Sequence, residues 1–375
     1  MDIVVLAGGL STERDVSLAS GGQIANSLQE NGHRVLLIDV YCGIPEFDSF
    51  ENLHEKYKKD DYSYKIPSTP PDLEALKREY GNELVGSNVI EVCKMVDVVF
   101  IGLHGGIGEN GQLQVMLDIY DIAYTGSGHV GSLLAMDKSL SKELMMHHGV
   151  PTAEYEIVSS WNEVKMARPF VVKPIYGGSS VGIEIVKGDD EKRPPLLRGG
   201  AEQSEAEGFA FSTLKSNPSV TPTACHLPLT GEADRFLVEK YIEGREFSVG
   251  VLDGMALPAI EIVPKNSDWF DFSSKYQGTT DEICPADIPQ EWEMKMREYA
   301  LKVHEILRLE CYSRTDFIIA KDGNIYCLEA NSLPGFTANS LLPQEAKVAG
   351  ISYNELCEKV IELALGKRGK YHENR

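Results

Sequence analysis

The stretch RTDFIIAKDGNIYCLEANSLPG, residues 314–335, decides how this fold is interpreted. Its Asp-Gly pair at 322–323 separates two apolar runs, which is the strongest local signal for a β-hairpin. A two-residue loop at this pair opposes Asp316 and Glu329, and the alternation of side chains along a strand puts both on one face. Like charges that face each other destabilise a strand pair, so the two carboxylates require an explanation.

The same register opposes Arg314 and Asn331 on that face. Three explanations are open: the carboxylates are solvated and repel weakly, they share one proton, or a cation lies between them. Asn331 adds a neutral oxygen, and Mg²⁺ is usually held by one or two carboxylates together with phosphate oxygens of a substrate. We therefore interpret the hairpin as a magnesium-phosphate site, with an ordinary edge hairpin as the alternative.

Composition argues against several classes of protein. The 375 residues suffice for two or three domains, and the 42% hydrophobic and 25% charged content is ordinary for a globular protein. The net charge of −21 argues against nucleic acid or an anionic membrane as the main partner. No apolar run is as long as a membrane span, and no signal peptide is expected. Seven cysteines without C-x-x-C spacing indicate reduced thiols in a cytosolic protein.

Apolar periodicity predicts a β-α-β unit at the start, with strands at 2–7 and 33–40 around a helix at 14–31. Residues 43–90 are predicted to form helical pieces on long connections. The further predicted helices are 130–149, 289–308 and 352–366, and the further strands are 96–103, 169–174, 182–187, 235–242, 246–252 and 255–263. This order predicts an α/β domain joined to α+β domains. Residues 188–233 lack periodicity, which predicts a surface excursion or a disordered loop.

Glycine-rich turns follow three of the predicted strands. VVKPIYGGSSVG at 171–182 carries Lys173 and a Gly-Gly-Ser-Ser turn whose backbone N–H groups suit a phosphate, although such a turn is also an ordinary hairpin loop. AGGLSTERDVS at 7–17 and HGGIGENG at 104–111 lie where open α/β sheets bind ligands.

A dinucleotide site is the alternative for the first turn of the chain, because Asp39 lies where a ribose-binding acid would be. Residues 6–11, LAGGLS, do not match G-x-G-x-x-G, which argues against that alternative. Glu13 has a simpler interpretation as an acidic residue favoured by the dipole at a helix N-terminus.

Six motifs, in matching order, resemble those of the D-alanine–D-alanine ligases of the ATP-grasp superfamily. They are GGLSTERDVS, HGGIGENGQLQ, VKPIYGGSSVG, EKYIEGREF, SKYQ and RTDF…LEANSLPG. The resemblance covers most of the chain except about 188–233. It implies a three-domain ATP-grasp fold of class α/β and α+β: a Rossmann-like N-terminal α/β domain at 1–126, a central domain at 127–238 and a C-terminal catalytic domain at 239–375.

The resemblance also implies roles for the matching residues. The catalytic residues would be Glu13, Ser179, Tyr276, Arg314 and Gly335. The substrate-binding residues would be His104, Lys275 and Ser340. ATP would be bound by Lys138, Lys173, Gly178, Ser180, Glu239, Lys240, Ile242, Glu246 and Trp269. Two Mg²⁺ ions, or Mn²⁺, would be bound by Asp316, Glu329 and Asn331.

The implied reaction is ATP-dependent joining of two D-alanines through an acylphosphate, for peptidoglycan synthesis, by a cytoplasmic homodimer. Tyr276, on an ω-loop that would cover the site, is associated in the family with D-alanine as acceptor. D-lactate or D-serine as acceptor is the alternative within the enzyme class, and a non-catalytic ATP-binding protein is the alternative outside it. Thr315 and Val115 depart from the aliphatic and small residues usual in the family, and we interpret both as packing changes.

Overall fold

The computed structural model describes residues 1–67, 69–177, 183–188, 235–264 and 280–373. These residues form three sheets that follow one another along the chain. Nearly all of the segment predicted to be irregular, 188–233, lies outside the described residues. The domain boundaries at 126 and 238 stay predictions.

The first sheet confirms the predicted β-α-β unit. Strands β1 (Asp2–Ala7) and β2 (Arg34–Asp39) are connected by helix α1 (Arg14–Glu30), and β3 (Val98–Ile101) completes a parallel sheet in the order β2-β1-β3. The polar stretch contains short helices, as predicted, and a helix follows β3: α2 (Phe50–Tyr57), α3 (Leu73–Tyr80), α4 (Val89–Cys93) and α5 (Gln112–Ile119). The turns after β1 and β3 lie at the same edge, because parallel strands end together.

The predicted helix at 130–149 is two helices, so that prediction is wrong in its continuity. Helix α6 (His129–Met136) ends before Asp137, and α7 (Lys138–His147) begins after it. Asp137 is not helical, and its side chain accepts hydrogen bonds from the N–H groups of Ser139 and Leu140. An aspartate at this position caps the new helix, which the apolar periodicity alone does not reveal. The break makes Lys138 the first residue of α7.

The second sheet is antiparallel and has a small core. Its strands are β4 (Tyr155–Val158), β5 (Phe170–Pro174), β6 (Glu184–Val186) and β7 (Phe236–Lys240), in the order β4-β7-β5-β6. Strands β5, β6 and β7 were predicted. Strand β4 was not, because four residues that include Glu156 show too little alternation to be recognised.

The third sheet contains the hairpin. Its strands are β8 (Gly244–Leu252), β9 (Met255–Ala256), β10 (Ile260–Pro264), β11 (Thr280–Ile283), β12 (Tyr312–Ala320) and β13 (Ile325–Asn331). The main order is β11-β10-β8-β12-β13, with β9 beside β8, and α8 (Gln290–Ile306) covers one face. The strand predicted at 255–263 is interrupted at Pro258, which has no N–H to donate to a ladder. Strand β11 was not predicted.

The hairpin pairs its four polar residues as predicted, but its loop length and its register near the loop differ from the prediction. Asp316 opposes Glu329 and Arg314 opposes Asn331, as predicted. The loop, however, has three residues, 321–323, because the Gly323 and Ala320 N–H groups close it with hydrogen bonds. A β-bulge at Leu328 then shifts the register by one residue. The longer loop and the bulge shift the register by one residue in opposite directions. Beyond the bulge, where Asp316 and Glu329 lie, the pairing is therefore the predicted one.

The largest hydrophobic cluster joins the first sheet to the C-terminal helices α9 (Leu341–Val348) and α10 (Tyr353–Glu373). Leu356, Val360 and Ile361 of α10 are fully buried in it. The two ends of the chain therefore share one core. Within the described residues, no helix has the length and apolar character needed to cross a membrane.

Candidate active site

The hairpin forms one wall of the candidate site. The buried Asp316 carboxylate accepts two hydrogen bonds of 2.8 Å from the Arg314 guanidinium. It also accepts hydrogen bonds from Ser248 at 3.0 Å and from the Asn331 amide at 3.3 Å. Burial lowers the pKa of Arg314, but Asp316 outweighs burial and raises it, so the guanidinium stays charged. The expected repulsion between Asp316 and Glu329 is therefore offset by a cation at Asp316.

The oxygen donors of this face fit Mg²⁺. They are two carboxylates and one amide. The four hydrogen bonds that Asp316 accepts use its about four lone-pair sites, so Mg²⁺ would replace at least one of these donors. No group of three or more acidic, histidine or cysteine side chains gathers around a metal position in the ranges that the structure describes. Mg²⁺ needs few protein ligands when substrate phosphates complete its octahedral coordination. A cation bound by the protein alone would need more protein ligands.

Lys138 connects the hairpin to the stem of the glycine-rich loop. Its ammonium lies 3.7 Å from a Glu329 oxygen and donates a hydrogen bond of 2.5 Å to the Gly177 carbonyl. The neighbouring Asp137 accepts a hydrogen bond of 2.8 Å from the Tyr176 hydroxyl. Burial lowers the pKa of Lys138, and the Glu329 charge opposes that effect. The N-terminus of α7 therefore holds the start of the turn that the sequence analysis associated with phosphate.

Glu239 lies between two buried lysines. Its oxygens are 2.5 Å from the Lys173 ammonium and 2.8 Å from the Lys142 ammonium. Burial raises the pKa of Glu239, but the two lysines outweigh burial and hold it below its ordinary value. Lys240 points to the other face of β7 and is exposed. Among the other residues expected to bind ATP, Ile242 and Glu246 are half-buried.

Glu13 and His104 come together at the edge of the first sheet. Both are buried, and Ser11 links their segments by accepting the Glu13 N–H at 2.9 Å and donating to the His104 carbonyl at 3.0 Å. The His104 ring is hydrogen-bonded to Ser20 at 2.9 Å. Burial is the main reason that the pKa of His104 is lowered. The neutral imidazole and the nearby carboxylate suit a small zwitterion.

Glu109 lies close to Glu13 and was not predicted as a site residue. It accepts the Gly105 N–H at 2.8 Å. Burial and the charge of Glu13 raise the pKa of Glu109 to about 8. Its position in HGGIGENG was a usable signal, because an acidic residue in a glycine-rich turn after a buried strand is well placed to face a ligand.

Gly335 and Ser340 lie together at the start of α9. A Cβ on Gly335 would come within 3.0 Å of the Ser340 hydroxyl, so glycine allows the close approach. Ser340 accepts the Thr337 N–H at 3.1 Å and is half-buried. The candidate site thus contains carboxylates, lysines and an arginine, and a small pocket lined by Gly9, Ser11 and His104 lies at the edge of the first sheet.

Comparison with known proteins identifies the family. Residues 2–127 match the family model described as D-ala D-ala ligase N-terminus, and residues 228–362 match the model described as D-ala D-ala ligase C-terminus. The chain belongs to the D-alanine–D-alanine ligase family. A D-alanine–D-alanine ligase of Pediococcus pentosaceus is 38% identical over all of this chain and 99% of its own length. One from Lacticaseibacillus casei is 37% identical over 99% of this chain and 97% of its own.

A solved D-alanine–D-alanine ligase has the same architecture. The crystal structure of the Bacillus anthracis enzyme complexed with ATP has a TM-score of 0.68 and 26% identity, and the match covers 99% of each chain. The three sheets described above are therefore those of an ATP-grasp fold, as the motif series implied.

Several residues that the ligase motifs implicate lie outside the described residues. They are Gly178, Ser179, Ser180, Trp269, Lys275 and Tyr276. Lys142 was missed because a lysine on an amphipathic helix usually indicates a solvated face. Its spacing of four from Lys138 was the available signal, since residues i and i+4 share a helix face.

Proposed function

We propose that this chain joins two D-alanines with ATP at the junction of the hairpin, the stem of the glycine-rich loop and the turns after β1 and β3. Membership of the family makes it an ATP-dependent ligase whose product serves peptidoglycan synthesis. The observation that carries the proposed site is the opposed pair Asp316 and Glu329, with the Lys138 ammonium beside it.

In the first step, the carboxylate of one D-alanine attacks the γ-phosphate of ATP and becomes an acylphosphate, and ADP is the leaving group. Lys138 and Lys173 would contact phosphate oxygens, since both are buried ammonium groups near the loop stem. Mg²⁺ held by Asp316, Glu329 and Asn331 would neutralise the charge that builds up on the phosphates. Catalysis here is mainly positioning and charge neutralisation.

In the second step, the amine of the second D-alanine attacks the activated carbonyl, and phosphate leaves. Glu13 would hold the ammonium of the first D-alanine, with His104 near its carboxylate. Arg314 and the Gly335 N–H would stabilise the tetrahedral oxyanion. Ser340 would hold the carboxylate of the second D-alanine. The acylphosphate must be shielded from water, a role we assign to the loop that carries Tyr276.

Conservative variants of the two carboxylates test the site. Asp316→Asn and Glu329→Gln should leave a folded protein whose kcat for ADP formation falls by about a hundredfold or more, because the phosphates lose a counter-charge. Asp322→Asn, in the exposed loop of the same hairpin, is the matched control and should retain activity. Near-normal Mg²⁺-dependent turnover in Asp316→Asn or Glu329→Gln would remove the proposed metal site.

We further propose a cytoplasmic homodimer. The six described cysteines are free thiols, which agrees with a reducing compartment. The support for a dimer is an apolar surface at the end of α5, where Ile119 and the following residue, Tyr120, are 71% and 50% exposed.

A further inference from the structure

Lys142 is a fully buried lysine that the proposed mechanism does not use. Its side chain is 1% exposed, and it is among the largest fully buried side chains of the described residues. A buried ammonium is tolerated only when it is paired and hydrogen-bonded. Lys142 therefore requires partners, and all of them come from segments other than its own helix.

The ammonium of Lys142 lies among three oxygen atoms from other segments, one in an ion pair and two in hydrogen bonds. The Glu239 carboxylate lies 2.8 Å away, the Thr152 hydroxyl accepts a hydrogen bond, and the Ala153 carbonyl lies at 3.4 Å. The ring of Tyr155 lies 5.4 Å from the ammonium and adds a cation–π contact. These contacts surround the Lys142 ammonium, so the residue is not available to a ligand itself.

The pairing decides the charge that Lys173 presents. Glu239 uses one oxygen for Lys142 and the other for Lys173. Two ammonium groups and one carboxylate carry a net charge of +1. Without Lys142, the single negative charge of Glu239 would compensate Lys173 alone, and the net charge of the remaining pair would be zero.

We propose that Lys142 is a positioning residue for ATP: it shares the Glu239 carboxylate, so that Glu239 orients the Lys173 ammonium without cancelling its charge toward phosphate. This inference rests on the proposed nucleotide site at Lys173. Lys142 lies one turn after Lys138 on α7, and Lys138 faces Glu329. One face of α7 therefore contacts the hairpin of β12 and β13 through Lys138 and, through Lys142, the Glu239 carboxylate that pairs with Lys173.

Steady-state kinetics with varied ATP test the inference. Lys142→Met should raise KM for ATP about tenfold, while kcat changes by less than about threefold. A tenfold effect is the lower end of what is usual when a residue that orients a binding residue is removed. In Lys142→Arg, the cation that shares the Glu239 carboxylate is kept, and KM should stay within about threefold of the unmodified value. A purely structural role would lower the unfolding temperature of Lys142→Met and leave its KM for ATP unchanged.

Two further variants separate the possible failures. Lys295→Met removes the exposed partner of Glu298 and is the matched control, with unchanged kinetics expected. Lys173→Met should raise KM for ATP more than Lys142→Met does. If Lys173→Met has no effect, the proposed nucleotide site is wrong. If Lys173→Met is impaired but Lys142→Met has unchanged KM, only the inference about Lys142 is wrong. Should Lys142→Met not fold, a Lys142→Arg variant whose KM for ATP is raised tenfold or more contradicts the inference.

Discussion

At the residue scale, Glu345 is a buried acid whose environment favours its neutral form. It lies on α9 over Gly250, whose N–H donates to one carboxylate oxygen, and a Cβ at position 250 would collide with that oxygen. The other oxygen has no hydrogen-bond partner among the described residues. Burial raises the pKa of Glu345 to about 8 from an ordinary value of 4.5, although Arg314 opposes the shift.

This shift predicts that Glu345 destabilises the fold as the pH rises. The unfolded chain releases the proton near pH 4.5 and the folded protein only near pH 8, so the folded state binds more protons between these values and loses stability across them. Glu345→Gln should therefore gain stability over the unmodified protein, by on the order of a few kcal/mol once the pH exceeds 8.

Thermal unfolding at pH 5 and pH 9 checks this prediction. The gain in unfolding temperature for Glu345→Gln should be larger at pH 9, whereas Glu298→Gln, an exposed control, should show no such difference. An equal gain at both pH values would contradict a neutral Glu345 in the folded state.

The sequence predicted some of these residues and not others, for a physical reason. The pairing of Asp316 with Glu329 follows from local alternation and a turn signal, and both are visible in one short stretch. Lys142 and Glu345 are charged residues whose burial depends on partners far away in the chain. A single sequence does not show those partners, so such residues are interpreted as solvated.

At the element scale, the Asp-Gly signal predicted the correct pairing of Asp316 with Glu329 but the wrong loop length. Asp-Gly indicated two loop residues, but Gly323 has φ of +85° and closes a three-residue loop instead. The bulge at Leu328 has no sequence signal of its own, because it depends on packing of the whole sheet. The break between α6 and α7 at Asp137 was not predicted, because the apolar pattern continues across it. The pattern does not show that Asp137 caps a new helix.

Helix α5 carries the element-scale prediction. Val115 and Ile119 share a face one turn apart and are 39% and 71% exposed, so the departure at Val115 lies at the surface. Sedimentation should give twice the chain mass of 41.4 kDa for the unmodified protein. Ile119→Glu should shift it toward the monomer because a charge would be desolvated in the contact.

Met294→Glu, at a 58% exposed position on α8, is the matched control and should leave the mass unchanged. A dimer that persists in Ile119→Glu would show that α5 is not the contact, and a monomeric unmodified protein would contradict the dimer itself.

At the scale of the whole molecule, the candidate site lies where three sheets and the two ends of the chain meet. Helix α10 completes the core of the first sheet, so the turn that carries Glu13 and the residues that follow β13 are held in one body. The order of the sheets was predictable from periodicity and motif order. The shared core was not, because packing between the first and last hundred residues leaves no local pattern.

This assembly is proposed to make D-alanyl-D-alanine with ATP, and an assay with competing acceptors measures that activity. ADP and phosphate are quantified at neutral pH with D-alanine alone and with added D-lactate or D-serine, and the products are identified by mass. We expect D-alanyl-D-alanine, with one ADP and one phosphate per dipeptide, in clear preference to the other acceptors. D-alanyl-D-lactate or D-alanyl-D-serine formed as fast or faster, or no ADP formed with D-alanine, would contradict the account.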